Sequence, residues 1–366
     1  MHVIDEQTAE DESRCLSVLL GCRSSDPPLH ELIVLGRRPA ALRTPAGVTV
    51  RHVPRCSGWL GKLTGPLDRV LRALAGRDPT MVVHAWGTRA AGAVSAATPP
   101  GIAVLTTLAD PDKADRPLDW WPTPGTRPGC VNVVGTSRRV RDRLVEAGLA
   151  PETITIIPAV VDEPSARSDR DALRERHGLA GLGPVLLTAS PPSPAGGQFL
   201  AVWAAAILRQ LWPTVRILIP GRSAEQRRIA RLVGGSFYCP EIVRFVEEQC
   251  RPAELLAAAD VLVFPALSDV PTGWLTAAMS ASVPVVASEV PCVTEVITDE
   301  QTGFLCPAGQ PHALAIRIRA ALKAERERQQ CVKRARTWAD RVASPTACAR
   351  SYRDLYNALV PTNALA

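Results

Sequence analysis

The chain has 366 residues, 46% hydrophobic, 21% charged and only 4% aromatic, with a formal net charge of +6. That length favours two domains over one, and the apolar fraction fills both cores with Val, Leu, Ile and Ala. No run reaches the roughly 18–20 uncharged apolar residues of a spanning helix. The acidic start "MHVIDEQTAEDESR" lacks an apolar signal core, which points to a cytoplasmic protein.

Short apolar runs alternate with helical patterns along the whole chain. In the first half, strands are expected at 1–5, 31–36, 48–53, 80–87, 102–108, 131–137 and 153–160, with helices near 12–22, 63–76, 88–97 and 138–148. A Pro-rich loop with paired Trp120 and Trp121 fills 111–129. The polar segment "AVVDEPSARSDRDALR" (159–174) follows and reads as a boundary. In the second half, strands are expected at 183–190, 214–221, 241–246, 260–267, 283–288 and 303–307. Helices near 197–210, 223–233, 252–259, 273–281, 293–297 and 311–329 separate them, and a last helix covers 347–359. Buried strands each followed by a helix predict two doubly wound α/β domains with parallel sheets. The expected division is 1–160, 161–345, and a C-terminal helical segment, 346–366, that crosses back.

In such sheets ligands bind beyond the carboxyl ends of the strands, and two facing domains make a cleft. The turn "ALSDVPTGWLTAAM" (266–279) lies at such an end and opens a helix. Its unpaired N–H groups and positive dipole end suit a diphosphate, Gly273 allows close approach, and Thr272 is placed to cap the helix. An ordinary capped turn explains the same residues. His84, at the end of a buried strand, has two readings: a base or donor facing a ligand, or a structural histidine whose ring nitrogens are already used. No glycine fingerprint follows the first strand and no Walker-type loop occurs, which argues against NAD-dependent and P-loop chemistry.

The ten cysteines are scattered, with no Cys-x-x-Cys pair and no zinc-finger spacing, so they read as reduced small hydrophobes, with a zinc or redox site as the alternative. Arg-rich helices "SRRVRDRLVEAG" (137–148) and "IRIRAALKAERERQQCVKRARTWADR" (316–341) carry the positive excess. They are solvated faces, or a basic face that meets anionic lipid head groups at the inner membrane face or phosphate-bearing substrates. Nucleic acid is not an expected partner, since aromatic residues do not alternate with the basic ones.

The block "AADVLVFPALSDVPTGWLTAAMSASVPVVASEVPCVTEVITDEQTGFLCPAGQPHALAIRI" resembles the C-terminal domain of retaining glycosyltransferases of family 4, which have the GT-B fold. The stretches "VVGTSRRVRDRLVEAGLAPETITIIPAVVD", "VVHAWG" and "WADRVASPTACARSYRDLYNAL" resemble the family's domain crossover, strand-end histidine motif and closing helix. The resemblance implies sugar transfer from a nucleotide-diphosphate donor to a glycan, lipid or small-molecule acceptor, with retention and with no metal or cofactor. Asp269 aligns with the family's first Glu, which contacts the donor sugar, and is the implied catalytic residue. The backbone of Thr272, Gly273, Trp274 and Leu275 would meet the phosphate, His84 would serve the acceptor side, and Glu295 matches a Glu-Ile/Val pair that joins the substrate-binding set.

The chain also departs from the family pattern. Ala277 stands where a second Glu holds the ribose hydroxyls, and Pro191 and Gly196 stand where an Arg and a Lys neutralise the diphosphate. "AEDESR" replaces a glycine-rich loop, and Ala109 replaces a His. A charge-assisted hydrogen bond contributes roughly 1.5–3 kcal/mol, so losing the two cations and the ribose anchor costs on the order of 5–8 kcal/mol, about four or more decades of affinity, unless they are replaced. Arg222, after strand 214–221, is a substitute cation. Three readings follow: a divergent glycosyltransferase, a catalytically inactive GT-B relative acting as a binding or partner protein, and another sugar-nucleotide enzyme such as an epimerase.

Overall fold

The computed structural model describes residues 1–5, 10–21, 31–39, 42–45, 47–53, 64–78, 80–109, 131–160, 170–220, 225–236, 240–246 and 252–360. Arg222 and the expected loop at 111–129 lie outside the described residues. The chain divides into two compact units, Met1–Ala159 with Pro345–Ala366, and Val160–Ser344.

The first unit is built on β1 (His2–Asp5), β2 (Glu31–Leu35), β3 (Thr49–Val53), β4 (Val82–Trp86), β5 (Ala103–Leu108), β6 (Val131–Gly135) and β7 (Ile154–Ile156). These form one parallel sheet in the order β3-β2-β1-β4-β5-β6-β7. Its helices are α1 (Glu10–Gly21), α2 (Thr64–Ala75), α3 (Thr88–Ala97), α4 (Arg138–Glu146) and, from the end of the chain, α13 (Pro345–Leu359). The central strands are mostly apolar because both faces are covered, and all six residues of β5 are buried, its two threonines included. Val3, Ile33, Val83 and Ala85 pack one face against Leu67 and Leu71 of α2 and Ala90 and Val94 of α3. Ser137 caps α4 by accepting the Val140 N–H at 3.1 Å.

The second unit contains β8 (Val185–Leu187), β9 (Arg216–Pro220), β10 (Val243–Val246), β11 (Val261–Phe264), β12 (Val285–Glu289) and β13 (Phe304–Pro307), all parallel, in the order β10-β9-β8-β11-β12-β13. Helices α5 (Arg170–Arg176), α6 (Gln198–Leu208), α7 (Glu225–Arg231), α8 (Pro252–Ala258), α9 (Gly273–Ser280), α10 (Pro291–Thr294), α11 (Pro311–Lys323) and α12 (Glu325–Val342) complete it. Alternate residues of one strand serve opposite cores. Leu262 and Phe264 join Leu275 and Met279 of α9, whereas Val261 and Val263 join Ala201 and Ala205 of α6. At the opposite edge from the ligand ends, Asp260 ties three segments together. It accepts from Arg170, from Arg174 at 2.7 Å and from the Val185 N–H at 2.7 Å.

Two expectations are corrected. The polar boundary at 159–174 already contains the start of α5. The helix expected at 311–329 is two helices, broken at Ala324, whose ψ of 75° leaves the helical region. Among the described residues, no helix is long and apolar enough to cross a membrane.

Candidate functional site

In the second unit the first strand, β8, has β9 on one side and β11 on the other, so the strand order reverses between β8 and β11. That switch point is where a doubly wound sheet opens a crevice at its carboxyl edge. Two turns meet there, one after β8 and one after β11.

The β11 turn carries Asp269 and leads into α9. Asp269 is buried, and its Oδ1 accepts the backbone N–H of Cys292 at 3.0 Å, while the Val270 N–H donates to Cys292 Sγ at 3.4 Å. Its carboxylate therefore holds the second residue of α10 against the β11 turn. Burial pushes the Cys292 thiol up to about 12, so it is a neutral packing group. Thr272 stands at the N-cap of α9, but its hydroxyl makes no capping bond, which corrects the expectation. The first turn closes instead through Leu275 N–H donating to the Thr272 carbonyl at 2.9 Å. Gly273, Trp274, Leu275 and Ala277 are all buried. Glu295 is exposed, one residue beyond the last turn of α10. The structure thus brings Asp269, Thr272 and Gly273 together on one turn.

The β8 turn is made of backbone in close contact. A Cβ at Gly196 would lie 2.0 Å from the Pro191 carbonyl oxygen, and a Cβ at Gly197 would lie 2.0 Å from the Pro265 carbonyl oxygen. Gly197 also has φ +63°, a left-handed conformation that a side chain disfavours. The Leu267 N–H donates to the Ala195 carbonyl at 2.7 Å, linking the two turns directly. Neither Pro191 nor Gly196 supplies a charge, and the backbone leaves no room for a side chain at 196. The polar groups here are neutral: Thr188, Ser190 and Gln198, each at most 2% exposed. Sequence reading passed over all three. The available signal was two hydroxyl residues and an amide flanking a glycine pair at the end of a central strand.

In the first unit the outcome for His84 is also a correction. The ring is fully buried, its Nδ1 lies 2.7 Å from the Tyr356 hydroxyl and its Nε2 lies 2.8 Å from Thr107 Oγ1. It stacks on Trp86 with ring centroids 4.2 Å apart, and Trp86 Nε1–H donates to His2 Nδ1 at 3.2 Å. Burial holds the imidazole well below the ordinary histidine range, so it stays neutral. Both ring nitrogens are used inside the unit, and His84 offers none to a ligand. A second feature that sequence reading missed is Glu12 on α1. It is buried, and its Oε1 accepts the Ala109 N–H at 2.8 Å.

Two hollows of the second unit lie away from the switch point. One of about 430 Å³ is lined by Pro284, Arg328, Lys333 and Arg336, and one of about 250 Å³ by Glu289, Asp299 and Arg317. The charge on α12 is partly engaged: Arg328 pairs with Glu325, Arg336 with Asp340, and Arg334 donates to the Glu300 and Gln301 carbonyls. Among the described residues, no group of three or more His, Cys, Asp or Glu is placed to hold a metal ion. Five cysteines there (Cys15, Cys292, Cys306, Cys331 and Cys348) are buried and unbridged.

Two family models match in succession: "Glycosyltransferase Family 4" over residues 18–163 and "Glycosyl transferases group 1" over residues 169–338. A D-inositol 3-phosphate glycosyltransferase of Jonesia denitrificans is 25% identical over 320 residues, covering 78% of this chain and 76% of that protein. One of the same name from Acidothermus cellulolyticus is 28% identical over 316 residues, covering 75% and 68%. Among solved structures, Anabaena HepE in complex with UDP and glucose aligns with a TM-score of 0.77 at 18% identity, over 98% of this chain and 99% of that one. Sucrose-phosphate synthase from Thermosynechococcus elongatus aligns at 0.72 and 19% identity, over 98% of each. The two parallel-sheet units are those of the GT-B fold.

Proposed function

We propose, from the premise that this chain belongs to glycosyltransferase family 4, that it moves a sugar from a nucleotide-diphosphate donor to a glycan, lipid or small-molecule acceptor with retention. The donor occupies the carboxyl edge of the second unit. The observation that carries this reading is the convergence of Asp269 and the start of α9 on the β8/β11 switch point. Backbone N–H groups at Thr272–Trp274 meet the diphosphate with the positive end of the helix behind them, the Leu275 N–H being taken by the Thr272 carbonyl. Asp269 meets the donor sugar through a hydroxyl, in addition to its bond to the Cys292 N–H. UDP with glucose in the HepE complex supports this class of donor.

Charge at the donor's phosphates is the weak part of this site. Pro191 and Gly196 bring none, so the helix terminus and Arg222 carry the neutralisation. Each unit has a basic helix of its own, α4 in the first and α12 in the second, that offers a surface for a peripheral membrane contact when the acceptor is a lipid. His84 takes no part in acceptor binding, because both of its ring nitrogens are bonded within the first unit.

The cationless β8 turn, together with Ala277, favours a second reading, that of a non-catalytic relative that binds a partner or ligand. Isothermal titration of the purified chain with UDP, GDP and their sugars separates the two, followed by a transfer assay with the sugar that binds. Micromolar binding, with transfer lost in Asp269→Asn, supports the enzyme. No binding below millimolar concentration supports the second reading. The anomeric configuration of the product, read by NMR, tests retention.

A further inference from the structure

Thr188 Oγ1, Ser190 Oγ and Gln198 Oε1 are buried and have no hydrogen-bond partner among the described residues. They lie at the two feet of one turn: Thr188 and Ser190 just after β8, and Gln198 at the first position of α6. Buried polar groups are nearly always satisfied, so three orphans at one turn call for an explanation. The turn is also the one at the switch point of the sheet, where a ligand is expected on topology alone.

We propose that these three residues form a neutral hydrogen-bonding site for a hydroxyl group of the ligand, reached when the 191–197 turn lifts. The inference rests on the donor-site reading above and names the chemistry this part of the site takes. Gln198 defines it. Its Nε2–H donates to the Ser190 carbonyl at 2.7 Å, so Nε2 faces that oxygen and Oε1 is left as an acceptor. An unpaired amide oxygen needs a donor, and an ionised phosphate has none to give. A sugar or ribose hydroxyl donates to Oε1 and accepts from Ser190 or Thr188, which satisfies both sides. Lifting the turn breaks the bond from the Leu267 N–H to the Ala195 carbonyl and opens the close contact of Gly197 with the Pro265 carbonyl oxygen.

Titration of the full chain and of Thr188→Val, Ser190→Ala and Gln198→Met against UDP, GDP and their sugars tests this. Each variant is expected to weaken binding of the wild type's preferred nucleotide sugar by roughly tenfold. The thermal midpoint of the free protein should stay level or rise in Thr188→Val and Ser190→Ala, because an unsatisfied group has been removed, whereas Gln198→Met also loses the bond to the Ser190 carbonyl and should fall. Equal loss with the bare nucleoside diphosphate assigns the hydroxyl to the nucleoside, and loss confined to the nucleotide sugar assigns it to the transferred sugar. Unchanged affinity in all three, or a loss accompanied by a fall in midpoint in Thr188→Val or Ser190→Ala, overturns the proposal and leaves the donor site standing. Failure of the folded wild type to bind any nucleotide sugar overturns both.

Discussion

Asp269 and Cys292, 23 positions apart, are joined by a 3.0 Å bond from a backbone N–H to a carboxylate oxygen. The bond sets the β11 turn against the start of α10, so the residue proposed to touch the donor sugar is also a structural clasp. Removing the carboxylate leaves the buried Cys292 N–H unsatisfied, at a cost of about 1–3 kcal/mol. Asp269→Ala should lower the thermal midpoint by several degrees, as read by calorimetry. Asp269→Asn keeps an acceptor at this position and should lose less stability, yet it should lose transfer. Equal midpoints for wild type and Asp269→Ala would show that the clasp contributes nothing.

The β8 turn should refuse a restored cation. At Gly196 a Cβ would lie 2.0 Å from the Pro191 carbonyl oxygen, so Gly196→Lys has to displace backbone before its ammonium can reach a phosphate. Lower stability and no gain in nucleotide-sugar affinity are expected, measured by thermal shift and titration. Tighter binding at unchanged stability would contradict the closed turn.

Gly197→Ala should be worse still. The left-handed φ alone costs about 1–2 kcal/mol with a side chain present, and the contact with the Pro265 oxygen adds to it. A midpoint within a degree of wild type would show that the turn is open in solution.

Helix α13 is fastened to the first unit by Tyr356 on His84 and by Tyr352, whose hydroxyl lies 3.0 Å from Thr107 Oγ1. Tyr356→Phe strips His84 Nδ1 of its partner and should cost about 1–3 kcal/mol. Chemical denaturation of the full chain, compared with the variant, measures it.

Stability should fall as the solution becomes acid. His84 and His177 both have folded pKa values held below the ordinary range, by burial first and, for His177, then by Arg176. Below about pH 6.5 the unfolded chain takes up protons that the folded chain refuses, so unfolding gains relative to folding. The stabilisation is complete above that pH and is lost as pH drops toward the folded values. Midpoints measured from pH 8 to pH 5 should decline, and His84→Gln should flatten the slope. An unchanged slope in that variant would remove His84 from the account.

The fold was legible because strands buried on both faces are mostly apolar, as β8 and β11 are throughout, and because helices separate them. Helix α5 was not, since it follows a Pro/Ser/Asp-rich segment and buries a single apolar residue, Leu173. The break at Ala324 carries no Gly or Pro to announce it. The switch-point turn at 266–279 could be read from its small residues, but the tasks its residues already perform could not. Thr107 and Tyr356 occupy the nitrogens of His84 from 23 and 272 positions away. Gln198 was overlooked because its meaning comes from the Ser190 carbonyl it faces, which no spacing rule encodes.

The central claim is that a nucleotide sugar seats on the β8 and β11 turns of the second unit. Hydrogen–deuterium exchange of the full chain, with and without each member of the UDP- and GDP-sugar panel, tests it most directly. The account predicts slowed exchange in 188–200 and 265–276 with at least one member of the panel. Unaltered exchange in both segments with every member, or protection confined to other surfaces, would contradict it.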